Sequence, residues 1–228
     1  MKVRYYGQSC FGIEVGGKHL LFDPFISGNP LAKAIKIDEI PCDFMLISHG
    51  HLDHILDAEA IAKRTNCLVI GSYEVMDWLE KKGLKNTHKM NTGGGWQFDF
   101  GYVKCVNAIH SSVMPDGTYG GNPMGFVIES EDGVFYFAGD TALTLDMQLI
   151  PMICDQLDFA ILPIGSNFTM DYRDAIVASD FIQCSTIIGC HYDTFDLIKI
   201  DHAEAQSAFV EEEKELILLE IGEDLEFE

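Results

Sequence analysis

Four metal-capable side chains fall within six residues, His49-Gly50-His51-Leu52-Asp53-His54, directly behind the apolar run Phe44-Met45-Leu46-Ile47. Core packing does not explain such a cluster. Imidazole and carboxylate are the ligands that zinc, iron and manganese accept. The apolar run reads as a buried strand, and Asp53-His54 opens a helical pattern, so the ligands straddle a strand-to-helix turn and converge from two directions.

Further candidates stand in the same relation to apolar runs. His110 ends Cys105-Val106-Asn107-Ala108-Ile109, Asp140 ends Val134-Phe135-Tyr136-Phe137-Ala138-Gly139, and His191 ends Thr186-Ile187-Ile188-Gly189-Cys190. Each lies at the C-terminal end of a predicted buried strand. In stacked sheets these ends share one rim, where distant parts of the chain meet.

Strands are predicted over 2–6, 10–15, 18–23, 43–47, 67–71, 102–109, 124–130, 133–138, 158–162, 186–190 and 215–221. Helices are predicted over 54–65, 73–82, 144–154, 171–183 and 201–213. The class is therefore α/β, and the absence of any linker or composition break predicts one domain over 1–228. A weak internal echo supports two sheets face to face with helices outside. Cys10–Asp23 reads as strand, tight turn, strand, aspartate, and so does Gly125–Asp140. The glycine-rich stretch 91–95 is no phosphate loop, because no Lys-Ser/Thr follows it; it reads as a turn before a strand containing Trp96 and Phe98.

Charge narrows the partners. With 36 acidic and 15 basic residues the net charge is −21, which repels phosphate backbones and counts against long nucleic acid. No stretch approaches the roughly 20 apolar residues of a membrane span, and strand-like sequence from Met1 leaves no signal peptide, so a cytoplasmic location is expected. The seven cysteines form no Cys-x-x-Cys pair and read as buried reduced thiols. The acidic residues of 211–228 read as a solvated helix end and a polar strand edge.

On His49-x-His51-x-Asp53-His54, the chain resembles the metallo-β-lactamase fold superfamily over essentially its whole length. It is similar, more closely, to the branch of metal-dependent hydrolases related to ascorbate-6-phosphate lactonase (UPF0173-like). The matching residues are His110-Ser111-Ser112, Gly139-Asp140-Thr141, Pro163-Ile164-Gly165 with Phe168-Thr169-Met170, and His191-Tyr192 with Thr194-Phe195. Where that branch commonly has proline after the last phenylalanine, this chain has Asp196. The resemblance implies a four-layer αββα sandwich. It further implies one metal on His49, His51 and His110, a second on Asp53, His54 and His191, and Asp140 bridging both. Zinc is the first choice, with manganese or iron as alternatives, because these ligands suit all three.

Two such ions can hold a bridging hydroxide that attacks a carbonyl or phosphoryl group. The resemblance also implies that Asp53 orients the attacking water. Asp23 is expected beside the ligands, fixing one of them or a turn. Tyr192 and His202, close in sequence to the last ligand, are the candidates for protonating the leaving group, while His19 and His88 read as ordinary surface or strand residues.

Three loops are expected to shape the pocket: 24–37 with Phe25 and Asn29, 111–123 with Met114, Tyr119 and Asn122, and 163–173 with Asn167, Phe168 and Met170. Lys33, Lys36 and Arg173 are the only basic residues there.

The expected reaction is hydrolysis of a small ester, lactone or amide. A small phosphodiester is the alternative substrate, and a non-catalytic metal-binding protein the alternative class; a complete ligand set argues against the latter. A redox di-iron protein is disfavoured, since such relatives commonly carry glutamate where this chain has His51. Pairing of copies through apolar loops such as 147–153 is left open.

Overall fold

The computed structural model describes residues 1–227. The chain forms β1 (Lys2–Gly7), β2 (Cys10–Val15), β3 (Lys18–Phe22), β4 (Phe44–Ile47), α1 (Leu52–Ile55), α2 (Ala58–Thr65), β5 (Leu68–Ser72), α3 (Tyr73–Lys81), β6 (Thr87–Met90), β7 (Gly95–Phe98), β8 (Gly101–Asn107), β9 (Met124–Ser130), β10 (Gly133–Phe137), β11 (Phe159–Pro163), α4 (Tyr172–Phe181), β12 (Thr186–Cys190), α5 (His202–Glu211), β13 (Glu215–Ile217) and β14 (Asp224–Glu226).

These strands build two seven-stranded sheets, ordered β14-β1-β2-β3-β4-β5-β6 and β13-β12-β11-β10-β9-β8-β7. The echo in the sequence is an echo of topology. In the first sheet β14, β1, β2 and β3 pair antiparallel, and β3 to β6 pair parallel. In the second, β7 to β10 pair antiparallel and β10 to β13 parallel. The two central hairpins touch at their tips, where Gly16 N donates to Asp132 Oδ2 at 2.6 Å. Positive φ at both Gly16 (57°) and Gly17 (70°) suits the two-residue turn of the β2–β3 hairpin.

Three apolar layers follow from this arrangement. Between the sheets lies a core rich in phenylalanine, including Phe11, Phe22, Phe126, Phe135, Phe137 and Phe159, all fully buried. The Phe22 and Phe137 rings from opposite sheets meet at 4.8 Å between centroids, and Phe11 lies edge-on to Phe137 at 6.5 Å. On the outer face of the first sheet, Ile61, Val75, Met76 and Leu79 of α2 and α3 pack on Met45, Ile47 and Val69. On the outer face of the second, Ala175 and Ala178 of α4 and Ala205 and Phe209 of α5 pack on Ala160, Leu162 and Ile187. The expected αββα sandwich is therefore the architecture found. Because β4, β5, β11 and β12 are covered on both faces, their sequences read as continuous apolar runs rather than alternations.

Several element boundaries differ from expectation for local reasons. The helix expected over 54–65 is two helices. Asp57 interrupts it, its buried carboxylate accepting from Ile26 N at 2.6 Å and Ser27 N at 2.9 Å, which ties down the loop after β3. The segment 145–152 forms 3-10 turns rather than an α-helix, with Pro151, which has no N–H, inside it. The strand expected over 215–221 ends at Ile217, since the chain then leaves the second sheet and crosses to the first, where β14 pairs with β1. The short strands β6 and β14 lack an apolar pattern and were not anticipated. Residues 91–94 form the expected turn, closed by Gly94 N to Asn91 O at 2.8 Å, while Gly95 already opens β7. All seven cysteines are free. Among the described residues no helix is long and apolar enough to cross a membrane.

Phe137 contacts the facing sheet through both Phe11 and Phe22. Truncation by Phe137→Ala is expected to destabilise the fold by about 3–5 kcal/mol, the usual range for opening such a cavity, read from the midpoint of chemical denaturation. A loss below about 1 kcal/mol would mean that the sheets do not depend on this contact.

Candidate metal centre

Antiparallel pairing of β1 to β3 and of β8 to β10 makes β1, β3, β4, β5, β8, β10, β11 and β12 end on a common rim. The loops leaving those ends carry all of the candidate ligands. Two glycines let the loops approach. At Gly139 φ is +62°, and a Cβ there would lie 2.7 Å from Ser48 Cβ on the opposite sheet; at Gly165 a Cβ would lie 2.0 Å from the His191 carbonyl oxygen. His191 itself adopts a left-handed backbone (φ 56°) and is held by its N–H to Gln8 O at 2.9 Å.

Asp140 occupies the middle. Its Oδ2 lies 3.0 Å from His191 Nε2, 3.3 Å from His54 Nε2, 3.5 Å from His110 Nε2 and 4.0 Å from His49 Nε2. On one side stand His49, His51 and His110, with His49 Nε2 2.9 Å from His51 Nδ1. On the other stand Asp53, His54 and His191, with Asp53 Oδ2 3.6 Å from His54 Nε2 and 3.5 Å from His191 Nε2. Donor atoms bonded at about 2.0–2.1 Å to one tetrahedral ion sit roughly 3.3 Å apart, so these spacings fit a shared cation on each side.

The donor set also fits a metal by what it leaves unsatisfied. His54 Nε2, which faces Asp140 Oδ2, and Asp140 Oδ1 are buried without a hydrogen-bond partner, although buried polar groups are normally paired. Asp23, His49 and His54 form a third potential group. The oxygens of Asp23 are already engaged, however. Its Oδ1 accepts from Ser48 N at 2.7 Å, and its Oδ2 accepts from Ser48 Oγ at 2.6 Å and lies 2.8 Å from His54 Nδ1. Ser48 Oγ in turn lies 2.9 Å from His49 Nδ1. Asp23 thus orients His54 directly and His49 through Ser48, turning both Nε2 atoms toward Asp140.

The two trios differ electrostatically. Burial lowers the pKa of His49, His51 and His110, keeping these imidazoles neutral and ready to donate a lone pair. Burial opposes charge on His54 as well, but Asp140, Asp53 and Asp23 outweigh it and raise its pKa. For His191, burial is likewise overcome by the carboxylates of Asp140 and Asp53, 3.0 and 3.5 Å from its Nε2, and its pKa is pushed up to about 9. Asp53 stays ionised: burial works against its charge, while His54 and His191 beside it hold its pKa below the usual range.

A cavity of about 770 Å³ opens over the cluster, lined by Phe25, Gly28, His51, Leu52, Asp53, Leu56, His110, Ser111, Asp140, Phe168, His191, Phe195 and Leu197. Of the expected pocket residues, Phe25 and Phe168 line it. Met114 and Met170 are buried in the outer cores, Asn29 is buried, and Tyr119 bonds Asn122 at 3.3 Å on the surface. Lys33, Lys36, Arg173 and Asn167 are not among the lining residues.

The two expected proton donors also lie outside this lining. Tyr192 is buried with its hydroxyl against Leu219 O at 3.5 Å, and His202 pairs with Asp193 Oδ2 at 2.6 Å beside the Tyr192 ring. His88 packs in β6 against Trp96 and Phe98, and His19 pairs with Glu14 across the β2–β3 hairpin, as ordinary strand residues.

Reading the sequence missed Gln8, whose Nε2 donates to Asp53 Oδ2 at 3.0 Å. Its signal was available: Gly7-Gln8-Ser9 is a tight turn at the end of a strand on the same rim. It also missed Ser48, which shows only as a polar residue ending an apolar strand, and the apolar wall formed by Leu52, Leu56 and Leu197.

Comparison with known proteins agrees with this frame. The model of the Beta-lactamase superfamily domain matches residues 18–192. A UPF0173 metal-dependent hydrolase of Flavobacterium johnsoniae is 57% identical over 226 residues, covering 99% of this chain and 100% of that one. One from Methylacidiphilum infernorum is 50% identical over 225 residues, covering 99% of each. Among solved structures, Igni18, a metallo hydrolase from the hyperthermophilic archaeon Ignicoccus hospitalis, matches with a TM-score of 0.88 at 32% identity, over 100% of this chain and 99% of that one. The chain belongs to the β-lactamase superfamily and, within it, to the metal-dependent hydrolases.

Two outcomes are expected here. Ligation requires neutral imidazole, and His191 with a pKa of about 9, above the ordinary 6.5, holds its proton at pH 7. Zinc loading of metal-free protein at pH 7 should therefore release protons from His191 and from His54, whose pKa is also raised, and affinity should rise with pH as His191 loses its proton near 9. Calorimetry in buffers of different ionisation enthalpy measures this; no release at pH 7 would contradict it. Gly165→Ala, by pushing on the His191 carbonyl, should lower retained metal without altering any ligand, as read by elemental analysis after dialysis.

Proposed function

We propose that this protein holds two divalent ions, one by His49, His51 and His110 and one by Asp53, His54 and His191, with Asp140 between them. Zinc is the first choice by ligand type, with manganese and iron accepted by the same donors. The observation that carries this reading is the position of Asp140 Oδ2, within 3.0–4.0 Å of four imidazole Nε2 atoms drawn from both trios. One carboxylate placed between two donor sets is the arrangement that two adjacent cations require.

The reaction proposed is hydrolysis of a small ester, lactone or amide. Bound divalent ions supply Lewis acidity and a water of lowered pKa. The chain supplies the rest. Asp53, ionised and facing the cavity with 26% of its side chain exposed, accepts a hydrogen bond from the attacking water and so orients it. Gln8 Nε2 fixes the carboxylate orientation for that contact. Asp23 and Ser48 fix the rings of His54 and His49. Ser111, whose Oγ lies 3.3 Å from His51 Nε2, lines the cavity where a substrate oxygen would enter.

Elemental analysis of purified protein tests the reading. Wild type should carry about two metal ions per chain, and His51→Ala and Asp140→Ala should each lose most of one or both. Full occupancy in wild type with no loss in either variant would overturn the ligand assignment and the mechanism together.

A further inference from the structure

The cavity is as apolar above the ligands as the cluster is polar. Six of its lining side chains are Phe25, Leu52, Leu56, Phe168, Phe195 and Leu197. They come from separate parts of the chain: the loop after β3, the α1 turn, the loop after β11 and the loop after β12. The ligands His191 and Asp140 are only 3% and 2% exposed, whereas Leu197, Phe168 and Leu52 are 68%, 51% and 51% exposed. Folding has thus left hydrocarbon open to water around a concave site, where an apolar ligand would cover it.

The wall is built, not incidental. The Phe25 and Phe195 rings lie 6.3 Å apart, joining the loops of opposite sheets. Gly28 lets Phe25 and Leu56 close in: a Cβ there would lie 2.5 Å from Phe25 and 2.6 Å from Leu56.

Charge points the same way. Among the described residues lining the cavity there is no lysine or arginine. Lys36 is paired with Glu39 at 2.9 Å, and Arg173 with Glu204 at 2.9 Å. A phosphate or carboxylate on a substrate, remote from the bond being cleaved, would meet hydrocarbon and lose its hydration without a partner. It would also approach a chain of net charge −21.

Resting on the hydrolase reading above, we propose that the substrate is an uncharged ester, lactone or amide whose remainder is an apolar chain or ring, selected by these six side chains. For an ester, the water oxygen bonds to the acyl carbon and the acyl–oxygen bond breaks. One water proton goes to the departing alkoxide, and the other is lost from the carboxylic acid formed. Phosphorylated or carboxylated sugar derivatives are excluded by the same wall.

Two series test this on the metal-loaded protein. The first is kcat/KM for p-nitrophenyl acetate, butyrate, hexanoate and octanoate, with p-nitrophenyl hemisuccinate as the charged short substrate. The second is calorimetric binding of 2-butanone to 2-octanone, uncharged carbonyl compounds that cannot be hydrolysed. Both should strengthen by about threefold to fourfold per methylene, the counterpart of about 0.8 kcal/mol each, and hemisuccinate should fall below butyrate. Leu197→Ser and Phe195→Ala, at positions 68% and 39% exposed, should flatten both slopes by cutting octanoate more than acetate. Ester cleavage with no length dependence and no ketone binding would overturn the substrate class while leaving the hydrolase reading intact. Ketone binding that grows with length, with no ester, lactone or amide cleaved, would support the apolar site and overturn the hydrolase reading instead.

Discussion

A carboxylate buried to 2% exposure cannot remain ionised in a protein interior without compensating charge, and Asp140 is the point around which that compensation is arranged. Four imidazoles from three different loops turn toward one of its oxygens, and burial of its charge is overcome chiefly by His191 and His54. The remainder of the rim serves this meeting. Asp23 and Ser48 aim His54 and His49, Gly139 and Gly165 let backbones approach, and the Gln8 carbonyl holds His191 in its left-handed conformation.

The meeting is made possible by two sheets of matching topology. Each has antiparallel strands followed by parallel ones, and each sends an aspartate from the end of the second strand of its central hairpin: Asp23 after β3 and Asp140 after β10. The two aspartates flank His54 from opposite sides, at Nδ1 and Nε2. Equivalent positions in the two halves therefore take different tasks: one carboxylate positions a ring and the other faces four imidazole nitrogens. The phenylalanine core between the sheets, with Phe22 and Phe137 in contact one and three residues before those aspartates, sets their separation.

Much of this was legible in the sequence, for reasons that can be named. Strands covered on both faces must be continuously apolar, so β4, β10 and β12 stood out, and the polar residue ending each run marked the rim. The cluster from His49 to His54 was visible because ligands on one strand-to-helix turn are necessarily close in sequence. Elements stabilised by pairing rather than by their own pattern were not visible: β6 and β14 are short and polar, and 145–152 carries apolar residues at helical spacing that Pro151 prevents from forming an α-helix. Proximity in sequence to a ligand also misdirects. Tyr192 follows His191 directly, yet its hydroxyl turns to Leu219, because consecutive residues around a left-handed position diverge.

By itself the sequence determined the α/β class, the rim and the side chains able to hold a metal, since each follows from local pattern and from residue chemistry. Only the tertiary structure decided which donors share a side of Asp140, that Gln8 steadies Asp53, and that leucines and phenylalanines from four segments wall one cavity. Those relations join residues as far apart as Gln8 and His191, and no local pattern encodes a distance that the packing of two sheets must set.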